Sequence, residues 1–270
     1  MTDEQRYLFD LNGYLTVRGA LPADLVRALN AELDLITAMG MAEADAAGAI
    51  RQTRGHRDPY GNLEYTCHLL PYGGIFESLI DVPATVPLVE EMIGGPTRLD
   101  AMHFMSRTSG RGSVLHHGYA ELLAYSEYAL NHDRFECASV KIGYALTDVG
   151  PENGPFVVMP GSHKGNFAVP GHMRLPDAAD PLVEPITVQA GDAVLFSEDL
   201  THGALVNRSD RVRRTIFISY APAFHSAWNE QTETAPGFEG RATPRQLALV
   251  RGPVPYGAAT TYSEEPVPVP

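Results

Sequence analysis

Cysteine is scarce in this chain of 270 residues: only Cys67 and Cys137 occur. Two cysteines build no disulfide framework, and without a CxxC pair they build no zinc ribbon either. Cationic charge is in deficit, with 20 Lys and Arg against 33 Asp and Glu, a formal net charge of −13. Binding to a phosphate backbone needs a basic face, so a nucleic-acid polymer is not expected as a partner. A small anionic ligand remains open, because a local arginine cluster overrides net charge. Long apolar runs are also missing. None reaches the ~18 residues of a membrane span, and the opening MTDEQRYLFD is acidic rather than signal-like, so no membrane partner and a cytoplasmic location are expected. What is present is 44% hydrophobic residues, enough for a real core, and ten histidines.

The chain begins in helical texture and then changes. Thr2-Asp-Glu-Gln5 has capping-box spacing, and Tyr7, Leu8 and Leu11 follow at helical intervals up to Asn12-Gly13. Tyr14-Leu-Thr-Val-Arg18 alternates like a strand. A second helix starts at Pro22, with Leu25, Val26, Leu29, Leu33 and Ile36 on one stripe, and Gly40 closes it. Residues 41–62 read as a long loop carrying Arg51, Arg54, His56 and Arg57, and 83–94 as a short helix. From about residue 97 short strand-like runs dominate, at 97–107, 137–147, 156–159, 186–188, 193–196, 204–206 and 212–220. Turn signals such as Pro151-Glu-Asn-Gly154 and Pro160-Gly161 separate them. Helices ahead of many short strands predict a β-sandwich or barrel with helices on one outer face. Residues 1–270 read as a single domain, with its core over about 1–220 and a Pro- and Gly-rich extension over 221–270 that holds one helix near 244–250.

Four features carry candidate chemistry. They are Leu115-His116-His117-Gly118, then Asn153 to Lys164 with its Pro-Gly-Ser-His-Lys turn, then Gly191-Asp-Ala-Val-Leu-Phe196 leading to Thr201-His202-Gly203, and last Arg211-Val-Arg-Arg-Thr215. On a strand, residues two apart share a face, so Thr215 joins Arg213 while Arg214 points the other way with Ile216 and Ile218. Lys141, within an apolar strand, points either inward to an anion or outward as a solvated edge. His103 and Met105 share one face of the strand before the His116 loop.

In order and spacing these features resemble the phytanoyl-CoA dioxygenase family of iron(II)- and 2-oxoglutarate-dependent oxygenases, from the first helix to about Tyr220. The resemblance implies a double-stranded β-helix, a jelly roll of mainly β structure with the N-terminal helices packed on one sheet. It implies Fe(II), 2-oxoglutarate and O2 as cofactor and co-substrates. His116 and His202 would be the metal ligands, and Arg213 with Thr215 would hold 2-oxoglutarate. A bidentate carboxylate clamp is arginine's role rather than lysine's.

One position departs from the family pattern. Gly118 stands where the HxD motif has its aspartate. Its absence removes one ligand and one negative charge, and a bound chloride restores both. The halogenases that resemble this family show the same exchange, so halogenation of an unactivated C–H of a freestanding small molecule is expected, with decarboxylation of 2-oxoglutarate to succinate and CO2. Water in the gap, or Asp199 approaching the metal, keeps a hydroxylase open. A degenerate, non-catalytic ligand-binding jelly roll is the alternative of another class. His117 in a shifted register would put Tyr119 at the second position and fits less well. His103, Lys141 and Arg54 are the candidate substrate residues. The Arg51, Arg54, His56, Arg57 cluster is compatible with a purine deoxynucleotide monophosphate and equally with a solvated basic loop.

Overall fold

The computed structural model describes residues 1–38, 65–117, 128–167, 169–226 and 233–254. The four described helices are α1 (Asp3–Asn12), α2 (Ala23–Ala38), α3 (Val86–Ile93) and α4 (Pro244–Val250). Among the described residues twelve strands run in chain order: β1 (Tyr14–Val17), β2 (Tyr65–His68), β3 (Thr97–Arg107), β4 (Ser113–His116), β5 (Ala129–Asn131), β6 (Arg134–Glu136), β7 (Val140–Ala145), β8 (Phe156–Val158), β9 (Glu184–Ile186), β10 (Ala193–Ser197), β11 (His202–Ala204) and β12 (Arg213–Pro222).

Antiparallel pairing assembles them into a six-stranded sheet, β1-β10-β7-β12-β3-β2, a four-stranded sheet, β4-β11-β8-β9, and the separate hairpin β5-β6. The fold is the expected jelly roll. Strand parity sorts side chains between its two faces. Ile216, Ile218 and Tyr220 of β12, with Ile142 and Tyr144 of β7, face outward into a large core shared with Leu29 and Leu33 of α2 and Val89 and Met92 of α3. Leu249 of α4 is buried in the same core. The opposite parity, Phe217, Val194 and Phe196, meets Phe156 and Val158 between the sheets.

Local chemistry accounts for the helix starts. Thr2 accepts from the Gln5 amide while the Gln5 side chain returns a bond to Thr2, and Thr243 repeats the arrangement with Gln246. Other details differ from the sequence expectations. On α1 the apolar stripe of Tyr7, Leu8 and Leu11 is exposed, and Phe9 alone is buried, edge-on to Phe135 and Tyr128. A single helix turn meets the ring of a neighbouring hairpin there, so one side chain makes the contact that periodicity assigned to three. The strand expected at 204–206 begins earlier, at His202, and the one expected at 186–188 begins at Glu184. The loop at 41–62, with Arg51, Arg54, His56 and Arg57, lies outside the described residues, as does Gly118.

Candidate active site

His116 ends β4 and His202 opens β11, and the two are directly opposite in an antiparallel pair. Directly opposed side chains project from the same face. Their rings lie 4.3 Å apart, centroid to centroid. The Nδ1 of His116 is 2.9 Å from the Val114 carbonyl and that of His202 is 2.7 Å from the Leu200 carbonyl. A carbonyl only accepts, so Nδ1 carries the proton in both rings and Nε2 keeps its lone pair. Burial lowers the pKa of His116, and it lowers that of His202 further, with the charge of His116 adding to the effect. Both imidazoles are therefore neutral at pH 7. Neutral rings with oriented Nε2 lone pairs are the chemistry a metal ion asks of histidine. The pair thus fits such an ion, although no group of three His, Cys, Asp or Glu side chains close enough to hold one occurs among the described residues. Asp199 is not grouped with the pair; one of its oxygens accepts from the Ser197 hydroxyl at 3.4 Å.

The histidines open onto a small cleft of about 70 Å³ between the sheets, which His103, Lys141, Arg107 and Arg213 also line. Arg213 opens β12, is 5% exposed, and donates from Nη1 to the Gly154 carbonyl at 2.7 Å and from Nε to Thr215 Oγ1 at 3.3 Å. Gly154 adopts φ 64°, and a Cβ there would stand 2.9 Å from backbone atoms of Asn207 and Leu205, so glycine is what permits this approach. Arg214 faces the other way, as parity requires, onto Asn30 and Asp34 of α2. Arg213 and Thr215 also line a second, largely apolar cavity behind Phe156, Phe196 and Phe217.

Arg107 was not singled out by sequence reasoning. It ends β3 directly opposite Arg213, is 4% exposed, and donates to Ser113 Oγ at 3.2 Å. Two guanidinium groups opposed across strands repel one another, and a dianion between them relieves that repulsion. Asn207, fully buried, holds the backbone of both segments by donating to the carbonyls of Arg107 and Arg211. The signal for Arg107 was its parity with Met105 and His103, which points it to the same face.

His103 stacks on Phe217 with centroids 5.6 Å apart. Lys141 points inward: β7 is an interior strand, and the ammonium meets Glu198 Oε1 at 2.8 Å. His163 of the Pro-Gly-Ser-His-Lys turn is structural, with Nε2 bonded to the Asp10 carbonyl at 3.1 Å, against Tyr128 and Phe9.

Comparison with known proteins bears on the family and the fold. A family model described as phytanoyl-CoA dioxygenase (PhyH) matches residues 9–215. Dioxygenase trt7 of Aspergillus terreus is 25% identical over 78% of this chain and 70% of its own length. An ectoine dioxygenase of Nocardia farcinica is 25% identical over 80% of this chain and 76% of its own. The structure of HygX from Streptomyces hygroscopicus, with nickel and 2-oxoglutarate bound, superposes with a TM-score of 0.71, at 24% identity, over 90% of this chain and 95% of that one.

Proposed function

Since the chain belongs to the phytanoyl-CoA dioxygenase family, we propose that it acts as an iron(II)- and 2-oxoglutarate-dependent tailoring oxygenase on a small molecule. The observation that carries this is the neutral imidazole pair sharing one cleft with two opposed arginines. His116 and His202 would hold the metal through Nε2. Arg213, positioned by Thr215 and Gly154, would clamp the distal carboxylate of 2-oxoglutarate, with Arg107 opposite it. When bound, iron with 2-oxoglutarate and O2 supplies an oxidant able to break an aliphatic C–H bond. The chain's own contribution is orientation and dryness. Phe156 and Phe196 pack around His202, and Phe217 backs His103, so water is kept from the face where the substrate would lie.

Glycine at position 118 supports a finer reading, in which the transferred group is a halide. The residue two positions after His116 has no carboxylate to ligate the metal and no side chain to crowd a large anion. Chloride there would replace the missing ligand and its charge. Hydroxylation is the competing reading, favoured by the relatives, both of them named dioxygenases. Lys141 also lines the cleft with its ammonium held by Glu198, and an anionic group on the substrate that displaced or shared that partner, a carboxylate or a phosphate, would suit it; a nucleotide monophosphate falls within that class.

The test is product-based. Succinate formation that requires iron, O2 and 2-oxoglutarate supports the oxygenase; its absence leaves a binding protein. A chlorinated product that disappears without chloride, and becomes hydroxylated in Gly118→Asp, supports the halogenase. If chloride neither shifts the absorption of the loaded enzyme nor changes the product, halogenation is excluded.

A further inference from the structure

Gly203 follows His202 directly and itself lines the cleft. The strand beside it is β4, and the two are not regularly paired. His202 opposes His116 while Ala204 opposes Ser113, so two steps along β11 face three along β4. The extra residue makes a β-bulge, a device by which strands re-aim side chains beside active sites. In a regular strand residues three apart turn to opposite faces. Across this bulge Ser113 and His116 both line the cleft, the one accepting from Arg107 and the other opposed to His202.

A backbone carbonyl is placed by the same bulge. The Val114 oxygen lies 2.9 Å from His116 Nδ1, where it accepts the ring proton and leaves Nε2 for a metal. That oxygen also stands 2.8 Å from the point a Cβ on Gly203 would occupy, and the Ser113 carbonyl oxygen stands 3.0 Å from it. Both are backbone atoms of a paired strand, so neither can swing aside as the end of a flexible side chain would. Glycine at 203 is what lets β11 approach the bulge this closely.

We propose that Gly203 is a positioning residue of the metal centre: by carrying no side chain it leaves the Val114 carbonyl its place, and that carbonyl holds the His116 ring. The inference rests on His116 and His202 as metal ligands, and it stands whether the product is halogenated or hydroxylated. An alanine at 203 would push the Ser113–Val114 stretch of β4 outward, part His116 Nδ1 from its acceptor and free the ring to turn.

The experiment uses the full chain and Co(II) alone, without 2-oxoglutarate, titrated by calorimetry, with circular dichroism of each metal-free variant as the check on folding. Gly203→Ala should weaken Co(II) binding about 10- to 100-fold, the usual cost of disturbing a group that orients a metal-binding histidine. It should also change the visible absorption of the bound ion. Gly112→Ala controls for strand damage alone. Its Cβ would stand 3.1 Å from the Ala204 carbonyl oxygen, crowding β11 away from Val114, so affinity and absorption should stay those of the wild type. In the metal-free wild type, heteronuclear NMR of nitrogen-labelled histidine should show His116 protonated on Nδ1, and this carries the test if Gly203→Ala does not fold. Unchanged affinity or absorption in Gly203→Ala, equal weakening in Gly112→Ala, or a His116 protonated on Nε2 overturns the proposal. A wild-type chain that binds no Co(II) overturns the functional reading beneath it, so the two failures are distinguishable.

Discussion

Gly13→Ala should destabilise the protein by about 2–4 kcal/mol, through two separable costs. Gly13 caps α1 at φ 80°, with its amide bonded to the Phe9 carbonyl at 2.7 Å. An alanine in this left-handed conformation costs about 1 kcal/mol. The added Cβ would also stand 2.5 Å from His163 Nδ1 and 2.7 Å from its Cγ. The imidazole is 4% exposed and packed on Tyr128, so it has little room to retreat, and such overpacking costs roughly 1–3 kcal/mol. Urea unfolding followed by circular dichroism reads the sum. Removing the ring in His163→Ala isolates the backbone cost, so the double variant should show a coupling of at least about 1 kcal/mol. A loss below about 1 kcal/mol in Gly13→Ala, or additivity with His163→Ala, would refute the reasoning. The site should respond as well. Ser162, beside His163, accepts at Oγ from the Thr201 amide at 2.8 Å, and Thr201 immediately precedes His202, so Gly13→Ala should also weaken metal binding.

His116→Ala and His202→Ala should each abolish tight Co(II) binding while leaving the far-ultraviolet spectrum intact; wild-type affinity in either variant would remove the imidazole pair from the site. Arg213→Lys should raise the KM for 2-oxoglutarate about 10- to 100-fold, since a lysine cannot make the bidentate contact and charge-assisted hydrogen bonds contribute about 1.5–3 kcal/mol. A KM within twofold of wild type would displace Arg213 from that role. His163 also sets an acid dependence: burial, aided by Lys164, lowers its pKa to about 4 from the ordinary 6.5. Between these values the unfolded chain binds the extra proton, so this contribution is complete above pH 6.5 and is lost as pH falls through 4. It amounts to roughly 3 kcal/mol, so between pH 7 and pH 4 the wild type should lose about that much more stability than His163→Gln; equal losses would exclude it.

Much of the site could be read in one dimension, because its chemistry depends on residue type and short-range parity. Strand parity alone placed Arg213 with Thr215 and turned Arg214 away, and β12 keeps that arrangement against α2. Capping chemistry is equally local, which is why the starts of α1 and α4 follow from Thr2 and Thr243. Burial on α1 was not legible: Phe9 is inside and Tyr7, Leu8 and Leu11 are outside, because the hairpin they would have met is more than a hundred residues away in the chain. Lys141 was ambiguous for the same reason, since a strand does not carry in its own residues whether it is central or at an edge.

The sequence by itself determined the order of the motifs, the glycine at position 118 and the parity that puts Arg213 with Thr215 and Arg214 on the other face, all of which are properties of neighbours along the chain. Only the tertiary structure decided which distant residues meet. Strand pairing set His116 opposite His202, Arg107 opposite Arg213 and Glu198 against Lys141. Such encounters depend on register between strands, and register is settled by the packing of two sheets and their helices as a whole.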